Sequence, residues 1–139
     1  MSCMLRVSGK NFNVDEFLLQ TALHPCAVFV KGAPQYKSKP NGKKNECSGI
    51  NIEMSGADFD QLEEQIRDVM MFLETNFQAI RNLVVFAGSD SKAEIDFAIA
   101  ERRTCVQTDY FPPALLALPG MLGLGLRVSV YPVLINKKR

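Results

Sequence analysis

The sequence predicts an α+β fold in which about six strands form one mixed or antiparallel sheet, packed against one long and two shorter helices. Three observations predict it. Apolar residues recur at steps of three and four through Phe59, Leu62, Ile66, Val69, Met70, Leu73, Phe77 and Ile80, which places them on one stripe of a long helix. Several short segments alternate apolar and polar residues with period two, as half-buried strands do. Strand-like and helix-like segments succeed one another as β-α-β three times, and 139 residues fit a single domain, so residues 1–139 are read as one α+β domain.

The first strand is read at Met4 to Ser8, with Leu5 and Val7 on the core side. A helix from about Val14 to Leu23 follows. Asn13 can cap it, Glu16 is spaced for a capping box, and Val14, Phe17, Leu18 and Thr21 form its inner face. His24-Pro25 ends it, because proline disfavours helical geometry in the residue before it, and Ala27 to Val30 form the second strand. Residues 32–48 carry Pro34, Asn41, Gly42 and several lysines without apolar periodicity, and read as a long exposed loop.

Ile50, Ile52 and Met54 make a third strand that leads through Ser55-Gly56 into the long helix, Asp58 to about Asn82. Asp58 is placed to cap that helix, Gln61 to reach back to it, and Asp60, Glu63 and Glu64 to complement its dipole. The uninterrupted apolar run from Leu83 to Ala87 reads as a buried strand. After a turn at Gly88 to Ser91, Ile95, Phe97 and Ile99 alternate with Glu94, Asp96 and Ala98 in a half-buried fifth strand. Pro112 and Pro113 open a short helix that Pro119-Gly120 is expected to end. Leu126, Val128 and Val130 mark the last strand, and Asn136 to Arg139 a solvated tail. This order favours helices on one face of the sheet, as in the ferredoxin-like arrangement.

Composition bounds the function. Sixteen Lys and Arg against fifteen Asp and Glu leave a net charge of +1, which argues against a general nucleic-acid binder. No apolar run approaches the length of a membrane span, and Met1 to Lys10 lacks the apolar block of a signal peptide, so a cytoplasmic location is expected. Cys3, Cys26, Cys47 and Cys105 are scattered without a CxxC pair, and His24 is the single histidine. Neither a zinc site nor a redox motif is spelled out, so reduced structural thiols and no cofactor are expected.

Leu5-Arg6-Val7-Ser8-Gly9, Asn13-Val14-Asp15-Glu16 ahead of a helix that ends near Leu23-His24-Pro25, and Lys31-Gly32 entering a polar loop resemble the DUF4279 group of small bacterial proteins. Pro113-Ala114-Leu115-Leu116 and the segment Leu122 to Tyr131 resemble that group's closing helix and strand. Members often carry a tryptophan where the strand after the basic loop begins; here Cys47-Ser48-Gly49-Ile50 stands instead. The group is of unknown function, so the resemblance implies a fold rather than an activity. In size the chain is similar to stand-alone immunity proteins that neutralise bacterial toxins.

The chemistry-bearing residues give weak catalytic signals. His24 lies at a helix C-terminus, where it favours the terminal carbonyls, although it could meet Cys26 or Cys105 in space. Glu94, Asp96 and Glu101 offer an acidic strip on a sheet face that could meet a basic partner. Gly120, Gly123 and Gly125 precede a strand instead of following one into a helix, unlike a dinucleotide fingerprint. The best candidate is the basic loop: Lys31, Lys37, Lys39, Lys43 and Lys44 gather around Tyr36, with Glu46 the single acid. It is expected to steer toward an acidic protein surface or phosphates, and a non-enzymatic protein-binding module, immunity-like in form, is the first functional expectation. A small-molecule-sensing domain acting as a homodimer through its edge strands is the alternative.

Overall fold

A computed structural model describes residues 2–132, and the tail read from Asn136 to Arg139 lies outside them. Five strands are formed, β1 Cys3–Gly9, β2 Ala27–Phe29, β3 Ser48–Ser55, β4 Lys92–Ala100 and β5 Gly125–Tyr131. They lie in one sheet in the order β2-β3-β1-β4-β5. β1 is antiparallel to both β3 and β4, β2 is antiparallel to β3, and β4 and β5 run parallel. The helices are α1 Val14–Leu18, α2 Leu62–Thr75, α3 Phe77–Ala87 and α4 Pro113–Leu122, so the sheet is mixed, mostly antiparallel, with four helices.

One face of the sheet is the core. Leu5, Val7, Ile50, Ile52, Ile95 and Phe97 point there from the strands and meet Val69 and Leu73 of α2, Ile80 and Leu83 of α3 and Leu115 of α4, all almost fully buried. Gln65 is a fully buried polar residue of this layer. Its Nε2 donates to the carbonyls of Asp58 at 2.9 Å and Ala98 at 3.1 Å, and its Oε1 accepts from the Cys3 thiol at 3.6 Å. The amide thus joins the start of α2 to β1 and β4 without leaving an unsatisfied group in the core.

The run Leu83 to Ala87 is not a strand but the last part of α3, which is why five strands stand where about six were expected. A short unbroken apolar run fits either element. Here Phe77, Ile80, Leu83 and Ala87 continue the helical stripe at steps of three and four, and that burial decides the conformation.

The single long helix is divided at Asn76, whose backbone leaves helical geometry at φ −111°, ψ 22°. Both its amide nitrogens satisfy the same carbonyl: the backbone N and side-chain Nδ2 each donate to Phe72 O at 3.0 Å. A side chain that competes for the backbone in this way is a local reason for the break. The helix also begins later than expected. Gln61 Oε1 does accept from Asp58 N at 3.2 Å, but Asp58 belongs to the preceding turn and α2 starts at Leu62. Phe59 is consequently off the stripe, and its ring packs on Tyr131 with centroids 5.3 Å apart.

Asn13 caps the first helix, its Oδ1 accepting from Glu16 N at 3.1 Å, and the Glu16 carboxylate accepts from Asn13 Nδ2 at 3.3 Å, a side-chain contact in place of the backbone bond of a full capping box; α1 is short and stops at Leu18. α4 runs through Pro119-Gly120 to Leu122, because Leu115, Pro119 and Leu122 share a buried face. Gly123, left-handed at φ 75°, closes it: Gly123 N donates to Gly120 O at 3.3 Å and Leu124 N to Pro119 O at 2.8 Å.

Candidate functional site

The face of the sheet away from the helices carries charge. Strand alternation that sends Leu5, Ile52, Ile95 and Phe97 into the core sends Arg6, Asn51, Glu94 and Asp96 to the opposite side. The register then brings them together: Arg6 pairs with Asn51 on one flank and Glu94 on the other, and Asp96 pairs with Arg127 of β5.

Arg127 grips Glu94 with both Nε and Nη2, the latter 3.0 Å from Oε1. Lys92 Nζ stands 3.5 Å from the same Oε1. Arg6 Nε lies 3.3 Å from Asp96 Oδ2, and Ser129 Oγ donates to Asp96 Oδ1 at 2.7 Å. The hydrogen bond from Arg127 holds the Glu94 carboxyl below its ordinary value, against the opposing cost of burial and with help from the charges of Arg127 and Lys92. The same contact pushes Arg127 up. Both carboxylates are buried and engaged, so they are not the free acidic strip expected from the sequence. Glu101, expected in that strip, is exposed beyond the end of β4. What the surface presents outward is guanidinium and ammonium.

Phe29 of β2 forms one wall of a depression of about 340 Å³, with Arg6, Asn51, Lys92, Glu94 and Arg127 around the rest. Its ring occupies the space above Gly49, where a Cβ would collide with it and would also come within 2.5 Å of the Val7 carbonyl oxygen. Glycine at that position is what lets an aromatic edge lie flat beside the ion pairs. The sequence shows Phe29 only as a strand residue, and no local spacing marks its partnership with Gly49.

Lys31, Tyr36, Lys37, Lys39, Lys43 and Lys44 are all exposed, as expected, on a segment that is more regular than a loop. Gly32 N donates to Asn45 O at 2.9 Å, Asn45 N to Ala33 O at 2.8 Å, and Gln35 N to Lys43 O at 2.9 Å, so the β2–β3 hairpin continues past the sheet as a ribbon. The ribbon turns at Tyr36 to Gly42 through Lys39 N to Tyr36 O and Gly42 N to Lys39 O. Lys44 Nζ folds back on Pro40 O at 2.5 Å and ties the tip. The ribbon was illegible in sequence because neither arm alternates.

Elsewhere, His24 is exposed after α1, Cys26 and Cys105 are exposed, and Cys47 is half-buried. Cys3 is fully buried, and burial pushes its thiol up to about 12. A wider groove of about 1010 Å³ lies between the N-terminal half of α2 and the segment before α4, where Arg102 pairs with Asp109 at 2.9 Å beside exposed Tyr110. Among the described residues, no group of three or more His, Cys, Asp and Glu could hold a metal ion, and no helix is long and apolar enough to cross a membrane.

Fold and surface together define an α+β protein whose mixed sheet is covered by helices on one face and bears a lattice of ion pairs on the other. Comparison with protein-family models, with curated proteins and with solved structures found no match to the chain.

Proposed function

We propose that this protein is a non-enzymatic protein-binding module of the cytoplasm, whose recognition surface is the basic ribbon together with the uncovered sheet face, and whose partner presents an acidic surface. The observation that carries this reading is the division of charge. The ribbon holds five lysines and one glutamate, so of the sixteen basic and fifteen acidic residues in the chain, eleven and fourteen remain elsewhere. A nearly neutral protein is thereby strongly polarised, and a positive projection of this kind steers association with an acidic partner. The guanidinium groups beside it are already held by their carboxylates, which lowers the ordering cost of a contact. Masking an acidic surface of another protein is the immunity-like form of this activity.

Kinship with the DUF4279 group and a ferredoxin-like arrangement belong to the same proposal. The ferredoxin-like arrangement is supported by the order β2-β3-β1-β4, antiparallel throughout, with helices on one face, as interleaved β-α-β units produce; kinship with the group rests on the sequence resemblance alone. β5 then extends the sheet next to β4.

The test is affinity purification of the tagged protein from its native cells, in parallel with a Lys37→Glu, Lys39→Glu, Lys43→Glu variant. Lys44 is left intact because it ties the ribbon tip. A stoichiometric protein recovered with the natural sequence and lost with the variant is the expected result. Equal recovery by both, with unchanged circular dichroism, overturns the ribbon as the binding element. One observation favours a small-molecule-sensing role instead, the groove of about 1010 Å³ beside α2; a thermal shift with a metabolite panel that disappears in Arg102→Ala would establish it.

A further inference from the structure

The two edges of the sheet are built differently. β2 is three residues long and continues into the basic ribbon, whereas β5 is a seven-residue edge, about 23 Å at the usual rise, with no proline and no bulge. Among the described residues no strand pairs with its outer side. Tyr131 O accepts from Glu101 N at 2.8 Å, so the backbone groups of Tyr131 face β4. Alternation along the strand then turns those of Ser129, Arg127 and Gly125 the same way, and those of Leu126, Val128 and Val130 outward.

The side chains of these three outward-bonding residues sit on the helix side of the sheet, in register with Ile95, Phe97 and Ile99. Their neighbours on β4 are buried, but they remain 36%, 41% and 55% exposed. Leu116 on α4, which packs against β5, is 48% exposed. An apolar stripe is therefore combined with an unfilled row of hydrogen-bonding groups.

We propose that β5 pairs antiparallel with β5 of a second copy, about a two-fold axis at Val128, to give one continuous sheet through both protomers. The strand is self-complementary in that register. Leu126 meets Val130 of the second copy, Val128 meets Val128, and each of these is a hydrogen-bonded pair, supplying about six interchain bonds in three pairs. On the opposite face Arg127 meets Ser129 rather than another arginine, and both are already held by Glu94 and Asp96 of their own chain. Gly125 meets Tyr131, so the bulkiest side chain of the strand lies opposite the one residue without a Cβ. A strand of another protein could take the edge, but the palindromic placing of apolar residues and the charge balance favour this strand itself. Symmetry then closes the assembly at two copies.

Native mass measurement of the full chain at micromolar concentration tests this. A species of twice the 15.5 kDa chain mass is expected, and a monomer across the concentration range overturns the proposal. Val128→Lys puts two like charges on the axis and is expected to leave a folded monomer. Val128→Pro, which removes an outward N–H not used within the protomer, is expected to do the same if the lysine variant loses its circular dichroism. The register is tested by charge exchange. Leu126→Lys and Val130→Glu are each expected to weaken the dimer by at least tenfold, and the double variant, which places opposite charges across both equivalent pairs, to restore it. A dimer unaffected by Val128→Lys, or a folded double variant that remains monomeric, overturns this interface. Co-purification of a different protein strand on β5 in place of a second copy likewise overturns it.

Discussion

Arg127 of β5 and Glu94 of β4 are joined by two parallel contacts, with Nη2 3.0 Å from Oε1 and Nε on Oε2. The pair ties the edge strand to the sheet. It also converts what alternation alone presents as an acid on an open face into an internally balanced surface, with Lys92 added on the same carboxylate. The bidentate geometry is the strongest form of such a contact, and substitution of either partner leaves a buried or half-buried charge to be hydrated again.

Acid should weaken the fold through this pair. Glu94 is held below the ordinary 4.5, so the unfolded chain binds the proton more readily than the folded one. The stabilising effect is present above the unfolded value and is lost as pH falls through the lower folded value. Urea unfolding followed from about pH 7 to about pH 3 should show a shallower acid-side loss in Glu94→Gln than in the natural protein. Identical slopes would place the pH dependence on other carboxylates.

Gly49→Ala is expected to destabilise the protein by about 1–3 kcal/mol, the usual range for overpacking a filled site. The new methyl group meets the Phe29 ring and lies 2.5 Å from the Val7 carbonyl oxygen of the neighbouring strand. Adding Phe29→Ala removes only the first of these clashes, so a double-mutant cycle should show partial rescue. Full rescue would mean that the backbone of β1 shifts at no cost.

The four cysteines should separate by reactivity. Under native conditions a thiol reagent is expected to modify exposed Cys26 and Cys105 quickly, half-buried Cys47 more slowly, and Cys3 only on unfolding. The raised value of Cys3, about 12 against an ordinary 9.0, adds a basic limb to the stability profile. Its neutral thiol is retained by the folded state while the unfolded chain ionises, so stability should fall as pH rises above 9.0. Cys3→Ala should flatten that limb.

Two positions on α2 test the division between its faces. Leu73 is fully buried, and Leu73→Ala should cost about 2–5 kcal/mol by denaturant unfolding. Met71 is 64% exposed, and Met71→Ala should stay within about 0.5 kcal/mol. A large effect at Met71 would indicate that this side of α2 is covered in solution.

Much of the frame was legible in local pattern. The alternation of Leu5 with Val7, of Ile50 with Ile52 and Met54, and of Leu126 with Val128 and Val130 located three strands. Asn13 and Glu16 marked the start of α1. Reading Leu83 to Ala87 as a strand failed because five consecutive apolar residues satisfy both periods, and only burial against β1 distinguishes them. Leu126, Val128 and Val130 show the converse. Their alternation marked a strand, but that no strand among the described residues pairs with its outer edge depends on where β5 lies in the sheet.

The candidate surface divides along the same line. The exposed lysines around Tyr36 could be read directly, because a solvated charged segment depends on its own composition. Arg6, Asn51, Glu94, Asp96 and Arg127 are up to 121 positions apart in the chain, and no spacing announces that they meet. Local pattern marks the charged residues, the alternating strands and the amphipathic stripes, since those arise from backbone preference and side-chain periodicity within a few turns, but it leaves open which element an unbroken apolar run such as Leu83 to Ala87 adopts. Which charges neutralise one another, and which strand lies at the edge among the described residues, follow from strand order and register, which are set by burying one shared core face and so bring the opposite face together as well.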